Sequence, residues 1–421
     1  MLEILPCSSV SQSIKLPGSK YIANRLIPMC ALASSPSRLG NIVDNNDIQA
    51  AMAGLKALGY NLDFNQGVLQ ILPRESILDT PVKINTSHSG TFSRFVAAIA
   101  ALEEHAVTVE CSDKMATRPM KELFEALREL GVLIETPNEK LPAVITGPIT
   151  GKLCHVDAHR SSQFISGLII AGAKAKQGID IKLVGEQVSN SYVDMTVYWL
   201  AKLGVAVERT TQGYQIMGGQ QINGIDAGIP GDAVSASYFM GLAGIAGGEI
   251  TIESFDFDSL QGESKFYRVL ERMGMNFKQQ GNSLVASSTK PLQAIDVDMS
   301  EMPDVVQTLA VMACFAEGTT IIRNIAHLAF KESNRIKDTA AELRKTGITV
   351  DYGEDFLQIK GGQPKAAVID THDDHRMAMS MALLGAKSDG IVIKDPEVVN
   401  KSFPSYWQQM AACGLKSSLI S

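Results

Sequence analysis

Leu16-Pro17-Gly18-Ser19-Lys20-Tyr21-Ile22-Ala23-Asn24-Arg25 places a Pro-Gly turn ahead of two cations, and an apolar run over residues 26–33 follows at once. Pro and Gly together punctuate the chain as a turn. A cationic head on an otherwise apolar helix outlines an anion site, because the first N–H groups of a helix lack intrahelical partners and its dipole is positive at that end. Polar heads on apolar helices recur at Thr91 (GTFSRFVAAIAAL), Ser162 (SSQFISGLIIAGA), Asp232 (GDAVSASYFMGLAGIA), Asp304 (PDVVQTLAVMACFA) and His375 (DDHRMAMSMALLGA). Counted from Lys20, successive heads are 71, 71, 70, 72 and 71 residues apart.

A second marker keeps nearly the same beat. Amphipathic helices stop at Gly59, Gly131, Gly204, Gly274, Gly347 and Gly414 and run into strands, at steps of 72, 73, 70, 73 and 67 residues. Glycine supplies the left-handed residue that commonly ends a helix. Two markers at one period predict six repeats, each reading β-α-β-α-β-β. In the first, the pattern predicts a helix over 47–58 and strands over 60–64 and 68–72 joined by Asn65-Gln66-Gly67. Paired strands are also expected at 205–209 with 214–217, 275–278 with 283–286 and 348–352 with 356–359, and a strand at 132–135. A helix apolar on every side must be buried. The expected fold is therefore α/β with two domains of three repeats each, central helices inside and strands outside. Breaks at Pro17-Gly18 and at Gly228-Ile229-Pro230-Gly231 delimit one domain at 19–231 and a discontinuous one at 1–18 with 232–421. Parallel central helices would aim their positive ends at a cleft between the two, and a site of this kind is cationic and self-repelling when empty.

Bulk properties narrow the class. A net charge of −7 argues against general nucleic-acid binding, which needs a basic face, yet leaves room for a local cationic cleft. The six cysteines are scattered without a CxxC pair, which reads as reduced thiols. MLEILPCSSV has neither a basic start nor a long apolar core, so no secretory signal is expected. No apolar run reaches the roughly 20 residues of a membrane span. A cytoplasmic monomer acting on small anions is the expectation.

Charged clusters mark the candidate chemistry. Lys331-Glu332-Ser333-Asn334-Arg335 precedes a helix with Ile336, Ala340 and Leu343 on its apolar face, and an early helix start would make Lys331 and Arg335 neighbours. Asp373-Asp374-His375-Arg376 sits before an apolar helix, where an N-terminal Asp cap is the plain alternative. Ser161-Ser162-Gln163 suits a phosphate or an ordinary serine cap equally. Ser89-Gly90-Thr91 lets a ligand approach backbone closely. Neither GxxxxGK[ST] nor GxGxxG occurs. His372 and His375 lack the further ligands a metal needs.

LPGSK…NR, SGT, ATRP, SSQF, SYVD, GDAVSAS, PDVVQT, KESNR, DDHRMAM and KSFPSYW follow one another in this order along nearly the whole chain. In this the sequence resembles the 5-enolpyruvylshikimate-3-phosphate synthases of the enolpyruvyltransferase family. The resemblance implies a two-domain inside-out α/β barrel of six repeats. It also implies transfer of the enolpyruvyl group of phosphoenolpyruvate to the 5-hydroxyl of shikimate 3-phosphate, releasing phosphate, without metal or organic cofactor. By motif, Lys20, Gly90, Arg118, Gln163, Arg335, Arg376 and Lys401 would hold phosphoenolpyruvate. Tyr21, Arg25, Ser161, Ser162, Gln163, Ser189, Tyr192, Asp304 and Lys331 would hold shikimate 3-phosphate, Arg25 through its carboxylate. Asp304 with Lys20 resembles the base and Glu332 the acid.

Departures cluster around the acceptor. Tyr21 stands where the family usually has Ser, Asn46 for Asp, His88 for Asn, Phe95 for Pro, His327 for Asn and Asn334 for Asp. A related enolpyruvyltransferase with another acceptor is the alternative these changes raise.

Overall fold

The computed structural model describes residues 1–75, 80–185 and 187–420. The chain divides into two compact units, Gly18–Ile229 and Met1–Pro17 with Pro230–Ser421. Both are mixed α/β.

In the Gly18–Ile229 unit, the helices Lys20–Ala31, Gly90–Ala100 and Ser162–Gly172 are buried over almost their whole length. Ala, Leu, Ile, Phe and Val occupy every side of them, so no face can be given to water. Ser89 and Ser161 cap the second and third through their hydroxyls, which accept from Phe92 N–H (3.4 Å) and Gln163 N–H (3.3 Å). Three four-stranded sheets surround this core. Ser37–Gly40 lies between Asp226–Gly228, parallel to it, and Val68–Leu72, antiparallel, with Asn61–Asn65 beyond. Val82–Asn85, Val107–Glu110, Ala143–Thr146 and Leu133–Glu135 repeat that order, as do Leu153–Asp157, Gly178–Val184, Gly213–Met217 and Val207–Thr210. Alternate residues such as Leu39, Leu62, Leu69 and Ile71 turn inward, as a sheet with one covered face requires.

The other unit repeats the scheme. Its buried helices are Ala233–Ala246, Val306–Ala313 and His375–Ala382. A ladder of hydroxyls joins them: Ser237 Oγ lies 3.2 Å from Thr308 Oγ1, and Thr308 Oγ1 lies 3.2 Å from Ser380 Oγ. Its sheets run Val10–Lys15, Gly248–Glu253, Ser283–Ser288, Asn276–Gln280; then Asp296–Asp298, Thr319–Arg323, Leu357–Lys360, Thr349–Tyr352; then Ala367–Ile369, Ile391–Ile393, Leu2–Ile4, Ser417–Leu419. In each of the six, one edge pair is parallel and the other two pairs are antiparallel. Leu292–Gln293 and Ala316–Glu317 add a short parallel pair.

Helix stops fall where the glycines predict them. Gly59, Gly131, Gly204, Gly274, Gly347 and Gly414 all take φ between 82° and 101°. Ala143–Thr146 has no counterpart in the sequence reading, because the prolines at 137 and 142 disguise its approach as loop. The strand expected at 205–209 begins only at Val207. Lys331 lies outside the following helix, which starts at Arg335 with Asn334 as its cap accepting from Lys337 N–H at 3.1 Å. The i,i+4 relation between Lys331 and Arg335 therefore does not form. Among the described residues, no helix is long and apolar enough to cross a membrane.

Gly385 faces Leu2–Ile4, the strand held between Ile391–Ile393 and Ser417–Leu419; a Cβ there would overlap Ile4 Cβ and Cγ2. Gly385→Ala should lower stability by about 1–3 kcal/mol, the usual cost of overpacking. The measurement is the urea midpoint, which should fall at unchanged slope.

Candidate active site

Arg335 organises the polar cluster of the Met1–Pro17/Pro230–Ser421 unit. Its side chain is only 2% exposed. Nη1 donates to Asp304 Oδ1 at 2.6 Å, Nη2 to Glu332 Oε2 at 2.9 Å and Nε to Asp374 Oδ2 at 2.8 Å. Burial alone would push the guanidinium down, but these carboxylates outweigh it and hold its pKa above the ordinary arginine value. Asp374 also accepts from Ser333 Oγ at 3.1 Å and caps the helix His375–Ala382 by accepting from Arg376 N–H at 2.9 Å. Arg376 donates from Nη1 to the buried Tyr238 hydroxyl at 2.8 Å, and its Nη2 lies 3.9 Å from Asp304 Oδ2. Lys331 Nζ lies 3.9 Å from Asp304 Oδ1, and Lys401 Nζ donates to Glu332 Oε1 at 3.0 Å. Glu263 Oε1 accepts from Asp304 N–H at 3.3 Å, tying down the single turn Pro303–Val305.

Four cations thus meet three carboxylates within one unit. Each of the four cations has a carboxylate within 4 Å. The sequence reading set a charged role for the segment holding Asp374 against a plain helix cap. Asp374 is both cap and counter-ion.

The Gly18–Ile229 unit carries a second polar group. Lys20 Nζ approaches Asp47 Oδ2 at 3.4 Å, with both side chains buried. Asn45 caps the helix Asn46–Ala57 and so holds Asp47 in its first turn. Arg94, inside the helix Gly90–Ala100, donates to Gly90 O (2.9 Å), Gln163 Oε1 (3.1 Å) and Pro119 O (3.0 Å). Gln163 Nε2 donates to Thr91 Oγ1 at 3.0 Å. A Cβ on Gly90 would overlap the guanidinium groups of Arg118 and Arg94. Arg94 therefore gathers Gly90, Gln163 and the ATRP turn into one assembly. Ser112 Oγ, 2.9 Å from His88 Nδ1, caps the short helix Asp113–Ala116 that leads to Arg118.

Arg25 is buried and donates from Nε to Thr196 Oγ1 at 2.8 Å and from Nη1 to Tyr21 O at 3.0 Å. Its guanidinium lies 5.5 Å from the Phe95 ring centroid and 5.6 Å from that of Tyr192. Tyr21 leans on Tyr192 with centroids 5.4 Å apart, and Lys20 Nζ is 5.6 Å from the Tyr21 ring. Ser162 and Ser189 are buried, and Ser189 holds φ of 52° at the head of the helix Asn190–Lys202, a left-handed conformation uncommon for serine. Ser161 serves as a helix cap, so its hydroxyl is already engaged.

The model of the EPSP synthase (3-phosphoshikimate 1-carboxyvinyltransferase) family matches residues 5–410. The chain belongs to that family. Curated relatives described as 3-phosphoshikimate 1-carboxyvinyltransferase include one from Shewanella loihica, 35% identical over 98% of this chain and 99% of its own length. Another, from Photobacterium profundum, is 36% identical over 97% and 98%. Among solved structures, an EPSP synthase of Acinetobacter baumannii superposes with a TM-score of 0.82 at 24% identity, covering 100% of this chain and 99% of that one. The enolpyruvyl transferase NikO of Streptomyces tendae gives 0.77 at 16% identity over 99% and 98%. At those identities the structures speak to the fold.

Of the residues carried over by motif, Asp304, Lys331, Glu332, Arg335, Arg376 and Lys401 come together in one unit. In the other, Gly90, Arg118 and Gln163 gather about Arg94, while Lys20, Tyr21, Arg25 and Tyr192 form a neighbouring set. Sequence reasoning passed over Asp47, Arg94, Thr196, Tyr238 and Glu263. Arg94 offered a signal, being a charge inside an otherwise apolar buried helix. Asp47 and Thr196 offered none, since their partners lie 27 and 171 residues away.

His327 stands beside this machinery and has an acid liability. Burial pushes its imidazole down to about 4, and the Lys331 ammonium adds to the effect. The folded state thus resists a proton that the unfolded chain accepts near 6.5. The stability conferred by neutral His327 is fully present above about pH 6.5 and lost as pH falls towards about 4, on the order of 3 kcal/mol in all. Urea unfolding across this window should show wild type losing more stability than His327→Asn. Parallel curves would remove His327 as the cause.

Proposed function

We propose that this chain transfers the enolpyruvyl group of phosphoenolpyruvate to the 5-hydroxyl of shikimate 3-phosphate and releases phosphate. The observation that carries the reading is the Arg335 cluster: two carboxylates suited to proton transfer, Asp304 and Glu332, are held by the cations that a doubly charged donor needs. With it goes an architecture of six βαβαββ repeats in an inside-out two-domain barrel, which the recurring sheet order supports. Residues 19–231 take mainly the acceptor. Residues 1–18 with 232–421 take mainly the donor, and one substrate pair engages both. The enzyme is a cytoplasmic monomer, with neither nucleic acid nor membrane as a partner.

The chemistry follows from charge exchange. Arg335 and Lys401 donate to carboxylates, and Arg376 lies 3.9 Å from one. The anionic groups of phosphoenolpyruvate compete for the same cations, as Lys20, Arg118, Gln163 and the backbone at Gly90 do their share from the other unit. Asp304, released from Arg335, can accept the proton of the attacking hydroxyl, with Lys20 assisting. Glu332, released from Lys401 and Arg335, is less strongly held ionised and can protonate the methylene carbon. Addition of the hydroxyl oxygen at the enol carbon gives a tetrahedral adduct with a new methyl group. Glu332, now a carboxylate, takes a proton back from that methyl as the C–O bond to phosphate breaks, and the phosphate leaves with the proton held by Asp304. Ser161, Ser162, Ser189, Lys331, Tyr21, Arg25 and Tyr192 hold the acceptor.

Tyr21 favours one second reading. Its ring, packed on Tyr192 where the family usually has a serine, narrows the acceptor side and would suit a related acceptor. The deciding assay follows phosphate release from phosphoenolpyruvate with shikimate 3-phosphate and no added metal. Turnover is expected; none here, with turnover on another acceptor, would select the second reading. Glu332→Gln should keep both substrates bound yet cut turnover by at least about 100-fold; unchanged turnover would strip Glu332 of the acid role. Gly90→Ala should raise KM for phosphoenolpyruvate by about ten- to hundredfold through displacement of Arg118, with a smaller change for the acceptor.

A further inference from the structure

Two of the buried arginines, Arg335 and Arg25, are held in opposite ways. Arg335 is surrounded by carboxylates. Arg25 is just as deeply buried, but no carboxylate among the described residues forms an ion pair with it, and its hydrogen bonds go to a hydroxyl and a carbonyl. That hydroxyl, Thr196 Oγ1, is itself 2.9 Å from Ser166 Oγ and 3.1 Å from Tyr192 O, so the neutral scaffold continues behind it. Desolvation lowers the guanidinium to about 10, which leaves it cationic near neutral pH. A buried charge without a counter-ion is costly. Here the negative faces of two aromatic rings, Phe95 and Tyr192, take the place of the counter-ion.

The difference matters for ligand binding. A carboxylate partner would cancel the charge and have to be displaced by an incoming anion. Ring faces steady the cation and leave its charge for the ligand. Tyr192 is already among the acceptor's contacts; Phe95 is not, and no acceptor contact was expected of it. Phe95 is wholly buried in the helix Gly90–Ala100, whose head serves the donor.

Building on the acceptor assignment above, we propose that Phe95 is a specificity-determining residue. Its ring face positions Arg25 and keeps that cation uncancelled for the carboxylate of the acceptor.

The test uses the full chain with Phe95 replaced by mono-, di- and trifluorinated phenylalanine, which weakens the ring face at nearly constant shape, together with Phe95→Leu. KM for shikimate 3-phosphate should climb stepwise with fluorination, by about five- to tenfold at the end of the series, the size of a lost cation–π contact. KM for phosphoenolpyruvate and kcat should stay within about twofold. Phe95→Leu should match the trifluorinated protein; if it fails to fold, the fluorinated series decides alone. A flat series overturns the proposal, as does a rise shared equally by both substrates, which would mark a displaced helix. Absence of turnover in the unsubstituted protein would instead remove the functional reading beneath it.

Discussion

Three carboxylates converging on one buried guanidinium tie together three segments distant in sequence, at the heads of helices that also pack against one another. Asp304 comes from a single helical turn, Glu332 from the segment ahead of a helix and Asp374 from the cap of the next repeat's central helix. Charge-assisted bonds are short and directional, and Arg335 holds all three carboxylates at 2.6–2.9 Å. Removing one partner would leave another charge buried without compensation, a heavier loss than the pair itself is worth. Position and charge are thereby coupled: the same guanidinium fixes where all three carboxylates sit and balances their charge.

How far the sequence foretold this depends on the range of each interaction. Periodic features were legible. The polar helix heads and the glycine stops recur in the chain, and every one of those glycines adopts the left-handed backbone that its place after a helix demands. Long-range pairings were not. Thr196 meets Arg25 across 171 residues, and Tyr238 meets Arg376 across 138. No local spacing encodes such contacts. Tyr238 and Arg376 meet because equivalent central helices pack side by side, as in the Ser237–Thr308–Ser380 ladder of residues about one period apart, whereas Thr196 reaches Arg25 from a different helix, Asn190–Lys202. Strand limits were less legible than helices, since Ala143–Thr146 is preceded by prolines and its pairing, not its composition, makes it a strand.

Function was legible as charge type and less so as charge balance. Lys331, Arg335, Arg376 and Lys401 stood out as cations near helix heads. Whether they stood alone or neutralised depended on carboxylates whose rotamers and caps only three-dimensional packing decides. Arg335 and Arg25 show how much this matters, since one is screened by acids and the other by rings, and neither sequence context announces which.

The place of the first residues has a consequence for how the molecule is made. Leu2–Ile4 pairs on both sides with strands near the other end of the chain, Ile391–Ile393 and Ser417–Leu419, and Val10–Lys15 pairs with Gly248–Glu253. Residues 18–229 form a contiguous unit able to settle as it leaves the ribosome. Leu2–Ile4 must wait for its partners until Ile391–Ile393 and Ser417–Leu419 have been made, on the order of tens of seconds later at ordinary rates of synthesis. A strand made ahead of the Gly18–Ile229 unit is thus stitched in after it, and a nascent chain halted before residue 391 carries that strand as an orphaned edge.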